Sequence, residues 1–239
     1  MVLNPPLAQR FYKDYLDLVI FKDIVERYGI KNTALVKFLI STSLSSFGKV
    51  LSVHKLFNAA KSQGIEVSKK TIYSYADYLE ESFFLFLLKK FSFSVKEIGL
   101  SMPKLYLNDT GISNVIASSS LDKGKLYENV VFLQLKRLQN KEPLLEIYYS
   151  KVYPHEYEVD FMLKEKNQVI KLIQVSYDLT QSKDREIRAL LHASTEFNCR
   201  NLLVITHEYE GKERLSRLGV TRTVQFIPLW KWLLNRDNT

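Results

Sequence analysis

A chain of 239 residues, 46% apolar, 13% aromatic and 25% charged, is long enough to bury one large core or two smaller ones. Its single cysteine, Cys199, excludes a disulfide scaffold and any Cys-based zinc site, and fits a reducing compartment. The net charge of +8 points to a polyanionic partner, and it is local: residues 31–75 hold seven lysines against Glu66 alone, leaving +2 for the rest.

The N-terminal MVLNPPLAQRF carries no basic-then-apolar leader pattern, so a cytoplasmic location is expected. Residues 8–28 predict a helix with Phe11, Tyr15, Leu18, Val19 and Val25 near one face, stopped at Gly29. A second helix is expected over 32–46 with Asn32 as N-cap. Ser52 caps a short helix over 53–62 that ends at Gly64, and Ser68 caps another over 69–81 whose Ile72, Ala76 and Leu79 point inward. Residues 82–91 and 103–108 predict strands joined by a polar loop. Phe83–Leu88 (FFLFLL) is the longest apolar run, far short of the roughly 20 residues of a membrane span. This order of elements is that of a winged helix-turn-helix.

The chain changes character at 117–124, ASSSLDKG, the expected domain joint. A helix over 124–139 follows, with Leu126, Val130, Val131, Leu133 and Leu135 on its buried face. Strands are expected at 144–150, 156–164 and 168–177, an amphipathic helix at 182–196, strands at 201–206 and 223–227, and a closing helix at 229–235. Such an order predicts an α/β (α+β) domain with a mixed central sheet between helices.

That order matches a PD-(D/E)XK nuclease core. Its chemistry needs an acid at the start of the second strand and Glu-x-Lys on the third, often with a glutamate from the first helix. Mg²⁺ or Mn²⁺ seeks carboxylate oxygens, and the lysine holds the attacking water. Asp160 and Glu128 stand at two of these positions. Gln174 and Ser176 replace the other acid and the lysine, and neither supplies a charge. Strand alternation turns Lys171 to the opposite face, and Lys164 lies roughly 13 Å along from Asp160. The following helix offers Lys183, Arg185 and Arg188 as cationic donors in place of the lysine and Glu186 as a replacement carboxylate. Glu128, Asp160, Gln174 and Ser176 therefore read as an inherited, silent site, or as ordinary polar positions. Under the enzyme alternative, Asp160 and Glu128 hold the metal.

On the helix-turn-helix, Lys69, Lys70, Tyr73 and Ser74 would face DNA, the lysines on phosphates and Tyr73 or Ser74 at a base edge. Lys49, Lys55 and Lys61 extend the phosphate track. Asp77, Glu80 and Glu81 make the end of the same helix acidic, and a protein-docking role is the competing reading. No phosphate-binding G-x-x-x-x-G-K-[ST] loop is present. His54, His155, His192 and His207 lack metal-ligand spacing. Cys199 reads as core, and so do the FFLFLL run and the pair Trp230 and Trp232, with an interface as the alternative for those two.

The segments Lys22–Tyr28 with Ile30-Lys31-Asn32, Leu107–Gly111, Gly124 with Glu128-Asn129, Glu158–Phe161, Val204–Thr206 and Ile227–Leu234 together resemble the C-terminal region of an archaeal and bacterial family of AAA-type ATPases. The resemblance implies a linker helix over 1–31, a winged helix over 32–118 and a PD-(D/E)XK-like domain over 119–239, without the P-loop motor that such proteins carry. The expected role is a non-catalytic accessory that contacts DNA or docks a partner and needs no cofactor. The alternatives are a Mg²⁺- or Mn²⁺-dependent DNA nuclease and a docking module for a separate P-loop ATPase. No membrane association is expected.

Overall fold

The computed structural model describes residues 5–113, 122–152, 157–217 and 219–235. The chain divides into two compact units, Met1–Leu87 with Met102–Leu121, and Leu88–Ser101 with Asp122–Thr239. The expected joint at 117–124 falls mostly outside the described residues, as does His155.

In the first unit, helix α1 (Pro5–Leu18) runs into a π-helical segment, Val19–Glu26, and the run ends at Gly29, whose φ of +59° favours glycine. The continuous helix expected over 8–28 is therefore interrupted. Its expected apolar stripe fails as well. Phe11, Tyr15 and Leu18 are exposed, and Leu16 and Ile24 are buried instead. The exposed Phe11, Tyr15 and Leu18 all lie in α1, ahead of the π-helical segment, so the wider i→i+5 winding bears only on residues 19–26.

Helices α2 (Thr33–Ser46), α3 (Val53–Ser62) and α4 (Lys69–Glu81) begin at the expected caps. The Asn32 side chain accepts from Leu35 N–H at 3.0 Å, and Ser68 Oγ accepts from Thr71 N–H at 3.0 Å. Each cap satisfies one orphan N–H of a first turn. Ile72, Ala76 and Leu79 are buried as their spacing predicts.

Strand β1 (Leu85–Leu88) pairs with β2 (Lys104–Leu107). Val50 adds an antiparallel bridge to Lys104, so the turn before α3 joins the same ribbon. β1 starts later than expected because the chain turns at Phe83, where φ is +56°, and stops earlier because Lys89–Phe91 pair with Tyr149 instead; the Phe83 ring is exposed, whereas Phe84, Leu85 and Leu88 are buried. The expected polar loop contains a helix, α5 (Val95–Leu100), capped by Ser94.

The second unit is built on a six-stranded sheet: β3 (Leu145–Val152), β4 (Tyr157–Glu165), β5 (Gln168–Ser176), β6 (Leu202–Thr206), β7 (Gly211–Arg217) and β8 (Val220–Pro228), in the order β3-β4-β5-β6-β8-β7. β3, β4 and β5 form an antiparallel meander, β5, β6 and β8 run parallel, and β7 closes the edge antiparallel to β8. Sequence reasoning missed β7.

Helices α6 (Lys123–Lys141) and α7 (Leu179–Glu196) both pack on β5, and α8 (Leu229–Leu234) packs on α6. Ile187, Leu190 and Leu191 of α7 share one cluster with Met162, Leu172, Val204 and Phe226 of the sheet. Phe132 of α6 meets Phe161, with ring centroids 6.3 Å apart. On α6 the buried residues are Asn129, Val131, Phe132 and Leu135; the expected Leu126, Val130 and Leu133 are only half-buried.

From residues 88–101, Phe91 joins this core. Phe91 N–H donates to Tyr149 O at 2.8 Å, Tyr149 N–H donates to Lys89 O at 3.1 Å, and the Phe91 ring packs edge-on against Tyr148 and Phe197. Cys199 is buried before β6, as expected. Of the tryptophans, Trp232 is buried but Trp230 is 61% exposed, which corrects its reading as core.

Candidate functional site

Because β4 and β5 are antiparallel, the start of β4 lies beside the end of β5, and this brings Asp160 and Gln174 together. Both are buried. Asp160 N–H donates to Gln174 Oε1 at 3.1 Å, and Val175 N–H donates to Asp160 Oδ2 at 2.9 Å. Gln174 Nε2 donates to the Glu158 carbonyl at 3.3 Å and to Glu186 Oε2. Glu186 reaches in from α7 and is buried, and its second oxygen accepts from Arg185 Nε at 3.1 Å and from the Arg185 terminal nitrogen at 2.5 Å. The Glu186 carboxylate holds the Arg185 guanidinium more firmly protonated than usual. A buried carboxylate needs such partners, because an unpaired charge there is costly.

Of the residues expected on the following helix, Glu186 meets Gln174 and Arg185 pairs with Glu186, while Lys183 and Arg188 are committed elsewhere. Lys183 pairs with Glu213 at 2.8 Å, and Arg188 pairs with Asp184. Lys164 pairs with Glu146 at 2.7 Å. Lys171 is buried, and that burial pushes its ammonium below the ordinary lysine range. Glu128 is half-buried on α6, and Ser176 is buried in register with Thr206 of β6. Among the described residues, no three His, Cys, Asp or Glu side chains converge in a metal-holding group.

A second cluster escaped sequence reasoning. Tyr127 Oη and His207 Nδ1 are 2.6 Å apart, the Tyr177 and His207 rings stack at 4.6 Å, and Lys123 Nζ donates to Tyr177 Oη at 3.1 Å. Tyr177 and His207 directly follow the parallel strands β5 and β6, where open α/β sheets bind ligands. The three elements that supply the cluster leave no local motif. Only the strand-end positions could have signalled it.

In the first unit, Lys49, Lys55, Lys61, Lys69 and Lys70 are exposed, Tyr73 is 59% exposed and Ser74 is half-buried. The ammonium groups of Lys61 and Lys69 lie 4.8 and 5.7 Å from the Phe57 ring centroid, which ties α3 to the start of α4 by cation–π attraction. At the other end of α4, Glu81 accepts from Tyr28 Oη at 2.6 Å and Glu80 accepts from Leu87 N–H at 2.9 Å. Those two acids are held against the fold.

The family model described as Domain of unknown function (DUF8612) matches residues 3–123, and the one described as Domain of unknown function (DUF4143) matches residues 123–232. An uncharacterized protein of Methanocaldococcus jannaschii is 34% identical over 234 residues, covering 95% of this chain and 51% of the relative. An uncharacterized protein of Haemophilus influenzae is 23% identical over 228 residues, covering 95% of this chain and 54% of the relative. The chain thus spans about half the length of the curated relatives it matches. Among the described residues, no helix is long and apolar enough to cross a membrane.

Proposed function

The chain belongs to the family described as Domain of unknown function (DUF8612), a description that names no activity, and from that premise we propose that it is a DNA-contacting accessory protein. In this reading the first unit is a winged helix that meets DNA, and the second is a nuclease-like domain whose acidic site serves structure. The carrying observation is the exposed set Lys49, Lys55, Lys61, Lys69 and Lys70 around α3 and α4, with Tyr73 among them. Lysines so placed neutralise phosphates and release counterions, so binding should weaken steeply with salt. Fluorescence anisotropy against duplex, forked and single-stranded DNA at low salt tests this. Lys69→Ala with Lys70→Ala should lower affinity and flatten the log K against log salt slope by about 2. If the native chain binds none of the three DNA forms, the lysine face is better assigned to docking a P-loop ATPase.

The non-catalytic part is supported by the hydrogen bonds that occupy the acids. Gln174 and Arg185 hold the Glu186 carboxylate, and the Val175 N–H holds Asp160. One observation favours a second reading, a Mg²⁺- or Mn²⁺-dependent nuclease. Glu186 returns a carboxylate, and Arg185 a cation, beside the amide that bonds Asp160. Incubating the DNA forms with either metal separates the two: the accessory reading expects intact DNA. Cleavage that disappears in Asp160→Ala would establish the enzyme.

A further inference from the structure

The last turns of α7 carry Arg188, Leu191, His192, Thr195 and Glu196 at spacings of three and four, so these residues share one face. With Arg217 at the end of β7 and Val220 at the start of β8, they line a cleft of about 320 Å³, within the range of small-molecule sites. None of them belongs to the Asp160 cluster or to the lysine face. The cleft's floor is apolar: Leu191 is buried and Val220 half-buried.

One end of the cleft is cationic. Arg217 Nε donates to Asp184 Oδ1 at 3.0 Å, and Arg188 pairs with the same carboxylate, so two guanidiniums share one negative charge. Arg217 also donates to the Ser216 carbonyl at 2.8 Å. A guanidinium has five N–H donors in a fixed fork, and these bonds leave part of that fork for a planar anion. Two helical turns along the same face, roughly 12 Å away, Glu196 makes the other end negative. His192 lies between, its ring 5.5 Å from that of Tyr157.

We infer that this cleft binds a small organic carboxylate with an apolar body and a hydrogen-bond donor at its far end. The carboxylate takes the N–H groups of Arg188 and Arg217. The body covers Leu191 and Val220, and the donor reaches Glu196. Titration of the full chain with 4-(aminomethyl)benzoate, benzoate and benzylamine, followed by methyl NMR of Leu191 and Val220, tests the assignment. Both carboxylates should shift those signals saturably, the aminomethyl compound binding several-fold more tightly, and benzylamine should not. Arg188→Gln with Arg217→Gln should weaken 4-(aminomethyl)benzoate about tenfold with an unchanged circular dichroism spectrum. Silence with both carboxylates, equal shifts with benzylamine, or undiminished affinity in the folded double variant overturns the inference. Should that variant not fold, Glu196→Gln decides: it should abolish the preference for the aminomethyl compound over benzoate, and a retained preference refutes the site.

Discussion

Single side chains set the acid sensitivity of the second unit. Glu146 accepts from Lys164 at 2.7 Å and from Tyr148 Oη at 2.6 Å, and these bonds hold its carboxyl below the usual range. Burial and the same carboxylate push the Tyr148 phenol up to about 12. A depressed carboxyl stabilises the fold above its unfolded pKa, and that contribution is lost as pH falls through the folded value. Glu146→Gln should therefore flatten the loss of stability in acid, by at most about 1 kcal/mol because the pair is partly solvated; urea midpoints measured across the acid range check it. At the Asp160 site, the order of elements made Asp160 and Gln174 readable from sequence as members of one site. Which residue of the next helix would answer them was not readable, because that depends on the rotation of α7 against the sheet. Glu186 meets Gln174 and is held by its neighbour Arg185, while Lys183 and Arg188, on the same helix, turn to Glu213 and Asp184.

At the scale of elements, caps governed what could be foreseen. Ser68→Ala should cost about 1 kcal/mol and speed amide exchange in the first turn of α4; unchanged exchange would show that packing alone holds that end. Asn32, Ser52 and Ser68 act on N–H groups three residues ahead, a wholly local geometry, so α2, α3 and α4 were legible to within a residue. β7 was not. As an edge strand of composition GKERLSR, it alternates between half-buried and exposed residues, and it owes its existence to the partner β8 rather than to its own apolar content. The π-helical segment was hidden for a related reason, since residue composition carries no signal for one extra residue per turn. α5 sits in a stretch read as polar loop, where Ser94 capping Glu97 N–H at 3.4 Å starts a helix too short for periodicity to register.

For the whole molecule, the chain's route matters more than its composition. Phe91 lies in sequence between β1 and β2 of the first unit, yet it is buried against Tyr148 and Phe197 of the second. Phe91→Ala should therefore destabilise the second unit by about 3 kcal/mol. Hydrogen exchange should show faster opening of amides in β3, β4 and β5, with α2, α3 and α4 little changed; the reverse pattern would refute that division. A piece of the second unit thus leaves the ribosome before the strands that receive it. At elongation rates of roughly 5–20 residues per second, Phe91 and its neighbours wait on the order of ten seconds for β8 to be made. The second unit cannot reach its native core while that synthesis is under way, and any nick between residues 101 and 122 would sever it from a part of its own interior.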